Sequence, residues 1–448
     1  MEPACRSEGV REPVASDVQT SSQPGLRRQV EKELTGNILP FWMTHAVDAV
    51  NGGFYGAVTN DLQVHNEVPR SAILCARILW TFATAFRTLE AEEYLAMARW
   101  AYDYLTNVFW DETYGGVYWH VDFKGHPVLD RKHHYAQAFA IYGLTEYYRA
   151  TREPQSLALA QKLFDLLEKH AYDEIHGGYI EGSSREWGTL TDMSLSPREI
   201  NCRKSMNTML HILEAYTNLM RVWEDAHLKA QHKALLEAFQ QHIVNRQTGH
   251  FKLFFDDQWH SLSEHVSFGH DVEGSWLLWE AAQAQDEPAL SAQIRETAVN
   301  MADAVHREGL DDDGSLFYEA GPQGLVDANK EWWPQAEAVV GFYNAYQLSG
   351  RAYFAQAAYR CWTHIQTKMV DRTHGGWFKR LHRDGTPDNS SYKVGPWNCP
   401  YHHSRACFEM LDRLGDRSIA PKHGLEEKKR KKSAGRSSAR KDMNPTRI

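Results

Sequence analysis

The chain has 448 residues, 42% of them hydrophobic, enough for one large core or two domains. Its formal charge is −9, but Pro421–Ile448 holds ten Lys or Arg against three Asp or Glu, which leaves −16 on the body before it. An acidic body argues against nucleic acid as the main ligand. Met1–Pro24 has no apolar signal core, and no run of 18 or more apolar residues offers a membrane span, so a soluble protein is expected.

Six cysteines (Cys5, Cys75, Cys202, Cys361, Cys399, Cys407) are scattered without a Cys-x-x-Cys pair. This pattern predicts reduced thiols in a cytoplasmic protein rather than a disulfide frame or a zinc ribbon. Aromatics make up 12%, with 15 Trp and 20 Tyr. Such a surplus marks carbohydrate clefts, although large helical cores also consume it.

Residues 1–24, rich in Ser, Glu, Gln and Pro, predict a disordered leader before one domain over 25–417. Within that domain a turn signature recurs: Asn51-Gly52-Gly53-Phe54-Tyr55, Tyr114-Gly115-Gly116-Val117-Tyr118, His176-Gly177-Gly178-Tyr179, Thr248-Gly249-His250-Phe251, Asp313-Gly314-Ser315-Leu316 and His374-Gly375-Gly376-Trp377-Phe378. The first glycines are spaced by 63, 62, 72, 65 and 61 residues. A nearly fixed period is the mark of a repeat architecture.

An amphipathic helix precedes each turn, over about 26–46, 92–108, 157–171, 227–245, 289–308 and 352–369, with Pro40 breaking the first. A more apolar helix follows each, over about 70–87, 134–150, 206–223, 271–285, 332–349 and 401–413. Helices apolar nearly all round are buried. Six buried helices alternating with six half-exposed ones predict an all-α (α/α)6 barrel, with short β-hairpins on one rim.

That geometry gathers the starts of the buried helices around one cavity. The residues there are Arg70; His134 and Tyr135; Asn207 and His211; His270 and Glu273; Trp332, Trp333 and Glu337; and His402 with Arg405. In Gly269-His270-Asp271-Val272-Glu273-Gly274-Ser275-Trp276, His270, Glu273 and Trp276 share a helix face, and Asp271 suits the positive end of the helix dipole. One histidine on a helix is more often a packing residue. A charged or titratable group at the start of all six buried helices points instead to a polar, aromatic-lined site. The basic segment over 418–448 predicts a disordered, solvated tail.

His270 and His402, on buried helices four and six, are expected to face each other across the ring. Such a pair can take a proton from one side of a carbon and return it on the other, which inversion next to a carbonyl requires. Arg70 is the expected cation for the enediolate oxygens. Glu273 could orient His270 or hold a hydroxyl, and His211 could open the sugar ring or polarise the carbonyl. Trp276, Trp333 and Trp397 would stack on sugar faces. Three other chemistries compete. A metal site lacks the His-Glu-x-x-His spacing. A glycoside hydrolase would need opposed carboxylates, for which Glu273, Glu337 and Asp192 are candidates. A non-catalytic sugar receptor would not need paired histidines.

Four segments carry a specific resemblance: Lys204-Ser205-Met206-Asn207-Thr208-Met209-Leu210-His211, Gly269 to Glu273, Trp332-Trp333-Pro334-Gln335-Ala336-Glu337, and Gly395-Pro396-Trp397-Asn398-Cys399-Pro400-Tyr401-His402-His403-Ser404-Arg405. Over about residues 27–415 the chain resembles the N-acylglucosamine 2-epimerase superfamily, most of all its cellobiose-acting branch. The resemblance implies the (α/α)6 barrel and epimerisation at C2 of the reducing-end glucose of β-1,4-linked disaccharides, without metal or nucleotide. Cellobiose would give glucosylmannose and lactose would give epilactose. The resemblance makes His270 and His402 the acid/base pair and His211 the ring-opening residue. It makes Arg70, Glu273, Trp276, Trp333, Glu337 and Trp397 the binding set, which Tyr135 and Asn207 would complete. Met209 stands where the family often has a second histidine and His403 where it usually has asparagine. A monosaccharide-acting relative, a mannose isomerase or N-acylglucosamine 2-epimerase, is the alternative.

Overall fold

The computed structural model describes residues 23–196 and 199–415. The tail expected over 418–448, and all but the last two residues of the leader expected over 1–24, lie outside them. The chain divides into two compact units, Glu31–Glu409 and Met1–Val30 with Met410–Ile448. The barrel is built in the first.

Among the described residues the helices are α1 (Gln23–Glu33), α2 (Leu39–His45), α3 (Ala72–Leu89), α4 (Glu92–Tyr104), α5 (His134–Thr151), α6 (Pro154–His170), α7 (Met206–Met220), α8 (Ala226–Ala238), α9 (Phe268–Gln285), α10 (Pro288–Glu308), α11 (Trp332–Ser349), α12 (Ala352–His364) and α13 (Tyr401–Arg413). The six helices that follow the glycine turns, α3 to α13 in odd steps, form the inner ring. Their neighbours in sequence form the outer one. The two rings arise from composition. Every residue of α3 from Ala72 to Ala85 is buried, whereas α4 buries only Tyr94, Met97, Ala98, Ala101 and Tyr104, one helical face. By length and mean hydropathy α3 would pass for a membrane span, but Arg77 and Arg87 interrupt its apolar run and 78% of it is buried inside the protein.

Close packing of the inner ring depends on missing side chains. A Cβ on Gly143 of α5 would lie 2.7 Å from the Ala76 carbonyl of α3, and one on Gly341 of α11 would lie 2.5 Å from that of Val272 on α9. Four inner helices end on a left-handed residue (Glu90, Arg152, Asp286, Gly350), so the chain reverses at once into an antiparallel outer helix. The break expected at Pro40 is milder than its residue type suggests. A π-helical turn, Leu34–Ile38, joins α1 to α2, and Pro40 lies in the first turn of α2, where its missing N–H goes unused.

On the rim, the two residues ahead of an inner helix pair antiparallel with the segment beyond the next glycine turn. Arg70–Ser71 pairs with His120–Val121, Lys132–His133 with Gly182–Ser183, Lys204–Ser205 with Phe254–Phe255, Val266–Ser267 with Glu319–Gly321, and Lys330–Glu331 with Arg380–Leu381. A bridge between Val58 and Val394 joins the sixth repeat to the first.

An ionic clip recurs with this ladder. An aspartate ahead of the glycine turn accepts turn amides and pairs with the cation ahead of the inner helix. The pairs are Asp48–Arg70, Asp111–Lys132 at 2.9 Å, Asp173–Lys204 at 2.8 Å, Asp311–Lys330 at 2.9 Å and Asp371–Lys393. The fourth repeat carries Asn245 and Val266 at these places and has no such pair.

Removing one partner of a buried ion pair strands the other charge in a dry site. Asp111→Ala, which abandons the fully buried Lys132, is therefore expected to cost about 3–5 kcal/mol in urea unfolding. Asp257→Ala, which breaks a surface pair with Arg203 at 2.9 Å, should cost less than about 1 kcal/mol. Equal losses would show that the clips do not bear the rim.

Candidate active site

Three imidazoles come together above the axis of the inner ring, each held by Nδ1. His402 on α13 lies 2.7 Å from Oε1 of Glu337 on α11. His211 lies 2.9 Å from Oε2 of Glu214, one turn on in α7. His270 in the first turn of α9 lies 2.7 Å from Oγ of Ser267. Among the described residues none bonds Nε2 of these three rings, which leaves the second nitrogen of each for a ligand.

His270 and His402 do not face each other across the ring, as the sequence suggested. Helices α9 and α13 flank α11, and Trp333 of α11 stands between them, 4.7 Å from the His270 ring and 5.4 Å from the His402 ring. Gly269 makes this possible, since a Cβ there would fall 2.6 Å from the Trp333 indole. Burial, with His211 opposite, lowers His270 to about 3. Burial, with Arg77 and Arg405 nearby, holds His402 well below its usual value. Both are neutral at pH 7 and able to accept a proton.

Beneath them Arg405 of α13 is enclosed by three carboxylates. It donates to Glu214 of α7, to Glu273 of α9 and, at 2.7 Å, to Glu337 of α11, and it lies over the rings of Trp276 and Tyr401 at 4.8 and 4.3 Å. One guanidinium cannot balance three anions in a dry core. Burial and the neighbouring Glu337 push Glu273 up to about 8, whereas Arg405 and His211 outweigh burial at Glu214 and hold it near 2. Donor atoms of Glu273, Glu337 and His402 lie within 4.8 Å of one another, close enough for a divalent ion, but Arg405 already supplies a positive charge to both carboxylates. Nor do the two carboxylates flank an open groove as a hydrolase requires: both are fully buried and meet at one guanidinium nitrogen. Asp192 is an exposed loop residue bonded to Ser194.

Arg70 does not join the site. Its guanidinium is bound by Asp48, the Gly52 carbonyl and, at 3.0 Å, the Tyr104 hydroxyl, because Arg70 is the first repeat's clip cation. The cation of α3 that does reach the site is Arg77, two turns further along and absent from the sequence reading. It donates to the Tyr135 hydroxyl at 2.6 Å, lies 4.1 Å over the Phe139 ring and acts electrostatically on both His211 and His402.

Trp276 is no stacking platform either. It is buried, and its Nε1 donates to Glu337 at 3.0 Å, so it orients the carboxylate that holds His402. Glu273, on the same helix as His270, turns to Arg405 and lies 3.8 Å from His402; Ser267 does the orienting at His270.

Tyr135 is buried, 5.0 Å from His211, and Trp397, half-buried, packs 6.1 Å from both Tyr135 and Trp119. Asn207 is half-buried, and its Oδ1 has no partner among the described residues. The expected rim residue His134 is engaged structurally, with Ile180 O and with Ser183 Oγ at 3.1 Å. Asp271 fastens the first turn of α9 to the Phe251 amide at 2.7 Å and to His250 at 2.8 Å. His403 is buried behind the site between Trp42 and Trp377. Glu199, which the sequence did not single out, acts on Tyr135 and Tyr318, and burial raises it to about 7.

Comparison with known proteins gives one consistent family. Residues 53–406 match the family model for N-acylglucosamine 2-epimerase. The chain is 45% identical over 387 residues to the cellobiose 2-epimerase of Bacteroides fragilis, covering 86% of this chain and 98% of that one. It is 37% identical to the cellobiose 2-epimerase of Dictyoglomus turgidum, over 87% of this chain and 99% of the relative. The structure of cellobiose 2-epimerase from Bacillus thermoamylovorans superposes with a TM-score of 0.83 at 40% identity, covering 87% of this chain and all of that one.

The raised Glu273 carboxyl makes stability depend on pH. Between its unfolded value, about 4.5, and about 8 the folded protein keeps a proton that the unfolded chain has released, so stability falls as pH rises through that window. Glu273→Gln removes this term. Its Tm relative to wild type is expected to rise from pH 5 to pH 9 in calorimetry; a constant difference would mean that Glu273 is ionised throughout.

Proposed function

Since the chain belongs to the N-acylglucosamine 2-epimerase family, we propose that it inverts C2 of the reducing-end glucose of β-1,4-linked disaccharides. Cellobiose becomes glucosylmannose and lactose becomes epilactose, through an enediolate. The observation that carries this reading is the pair His270 and His402, both neutral, both anchored by Nδ1 and both packed on Trp333.

In the open-chain sugar one Nε2 takes the C2 proton, and the C–H electron pair moves toward C1 as the carbonyl oxygen gains charge. The other imidazole, which first takes a proton from solvent on its own Nε2, returns that proton to the opposite face of C2, and the first ring gives its new proton to solvent. In the reverse direction the two exchange roles. Arg77, which acts electrostatically on both His211 and His402, stabilises the developing oxyanion, the part the sequence assigned to Arg70. His211, near 4 because burial outweighs its bond to Glu214, assists ring opening and closure. Trp333 and the half-buried Trp397 offer aromatic faces to the two sugar rings. Glu273 supports hydroxyl binding: its Oε2 is buried without a protein partner. The relatives' names support the disaccharide over a single sugar. The five cysteines among the described residues are buried and unbridged, which supports a reducing, cytoplasmic setting.

Cellobiose, lactose, mannose and N-acetylglucosamine, each incubated in deuterated water and followed by NMR, test the reading. The expected outcome is the C2 epimer of the two disaccharides with deuterium at C2, and turnover that survives exhaustive EDTA. Free glucose from cellobiose would favour hydrolysis, and turnover of mannose or N-acetylglucosamine alone would favour the monosaccharide branch. His270→Ala and His402→Ala should each slow epimerisation on the order of 10² to 10⁴. Near-normal turnover in either variant would remove it from the pair.

A further inference from the structure

Serine stands immediately before three inner helices, and its hydroxyl does two different jobs there. Ser71, before α3, accepts from the Ile73 amide at 3.1 Å, and Ser205, before α7, accepts from the Thr208 amide at 3.1 Å. Both are ordinary helix caps. Ser267, before α9, caps no backbone amide. Its Oγ lies 2.7 Å from Nδ1 of His270 instead, in the one repeat that also lacks the ionic clip. A cap stabilises its helix, so a buried serine that forgoes it serves something else.

We propose that Ser267 is the positioning residue of His270, and that its lack of charge makes the two proton-transfer arms unequal. This rests on His270 acting as acid/base. Nδ1–H donates to Oγ, which fixes the tautomer with Nε2 unprotonated and aimed at substrate. When Nε2 takes the C2 proton, the C–H electron pair enters the enediolate and Nδ1 keeps its own proton. The resulting imidazolium then leans on a neutral hydroxyl. Its counterpart at His402 leans on the Glu337 carboxylate, which favours the charged ring.

Among the described residues no other group supplies the missing charge. On α7, His211 acts electrostatically on His270 and disfavours its charged form. From α11 the contact is the uncharged Trp333. Glu319, opposite Ser267 in the rim ladder, is bonded to His265, and Glu273 on the same helix is bonded to Arg405. His270 is thus the arm with no charged partner on Nδ1, whereas Nδ1 of His402 meets a carboxylate that it shares with Arg405.

Full-length Ser267→Ala and Ser267→Asp, with wild type and His270→Ala alongside, test this on cellobiose. In Ser267→Ala, kcat is expected to fall on the order of 10- to 100-fold, with KM and Tm unchanged. In Ser267→Asp, the acid limb of kcat/KM is expected to move up by about one pH unit or more, since a carboxylate stabilises the imidazolium. Wild-type kcat in Ser267→Ala, or an acid limb unmoved in Ser267→Asp, would overturn the assignment while leaving the epimerase reading intact. An inactive wild type or a fully active His270→Ala would overturn the epimerase reading itself.

Discussion

A single buried guanidinium holds this active site in shape. Arg405 reaches from the last inner helix to carboxylates on the third, fourth and fifth, and two of those carboxylates in turn fix Nδ1 of His402 and His211. Desolvating four ionisable groups is costly, and the arrangement persists only because nearly every donor meets an acceptor. Its excess negative charge is relieved by the proton that Glu273 retains. The site is therefore assembled when the inner helices converge, since no helix carries enough of the network to exist alone.

The repeat explains why one position is free for chemistry. Five of the six hairpins spend their rim cation on the aspartate of a glycine turn. The fourth substitutes Asn245 and Val266, and it is the one whose inner helix opens with Ser267, Phe268, Gly269 and His270. Gly269 admits the Trp333 indole, and Ser267 turns from capping to holding the imidazole. Function has entered where the structural pattern lapses, a common place for it in a locally consistent fold.

Much of this was legible in the sequence, for a physical reason. The glycine turns need left-handed backbone, Gly115 and Gly116 at φ +73° and +76° for example, so their period survives in the letters. Helical periodicity then separates the buried from the half-buried ring. Side-chain direction was harder to read. Arg70 stands where a site cation belongs, but Asp48 claims it; the recurring aspartate-to-cation spacing across repeats was the available clue. Arg77 sits in an apolar run with no motif around it. Helical spacing alone put Glu273 and Trp276 beside His270, whereas the pull of Arg405 and Glu337 turns both toward the axis. Contacts across 132 and 61 residues leave no local trace.

The central claim is that His270 and His402, packed on one indole from the two helices that flank it, approach one substrate carbon from two sides. A crystal structure with the reduced sugar cellobiitol, which has no carbonyl to react, tests it directly. The account predicts C2 of the alditol between the two Nε2 atoms, each about 3–3.5 Å away on opposite faces. Both nitrogens on one face of that carbon, or the alditol bound away from Trp333, would contradict it.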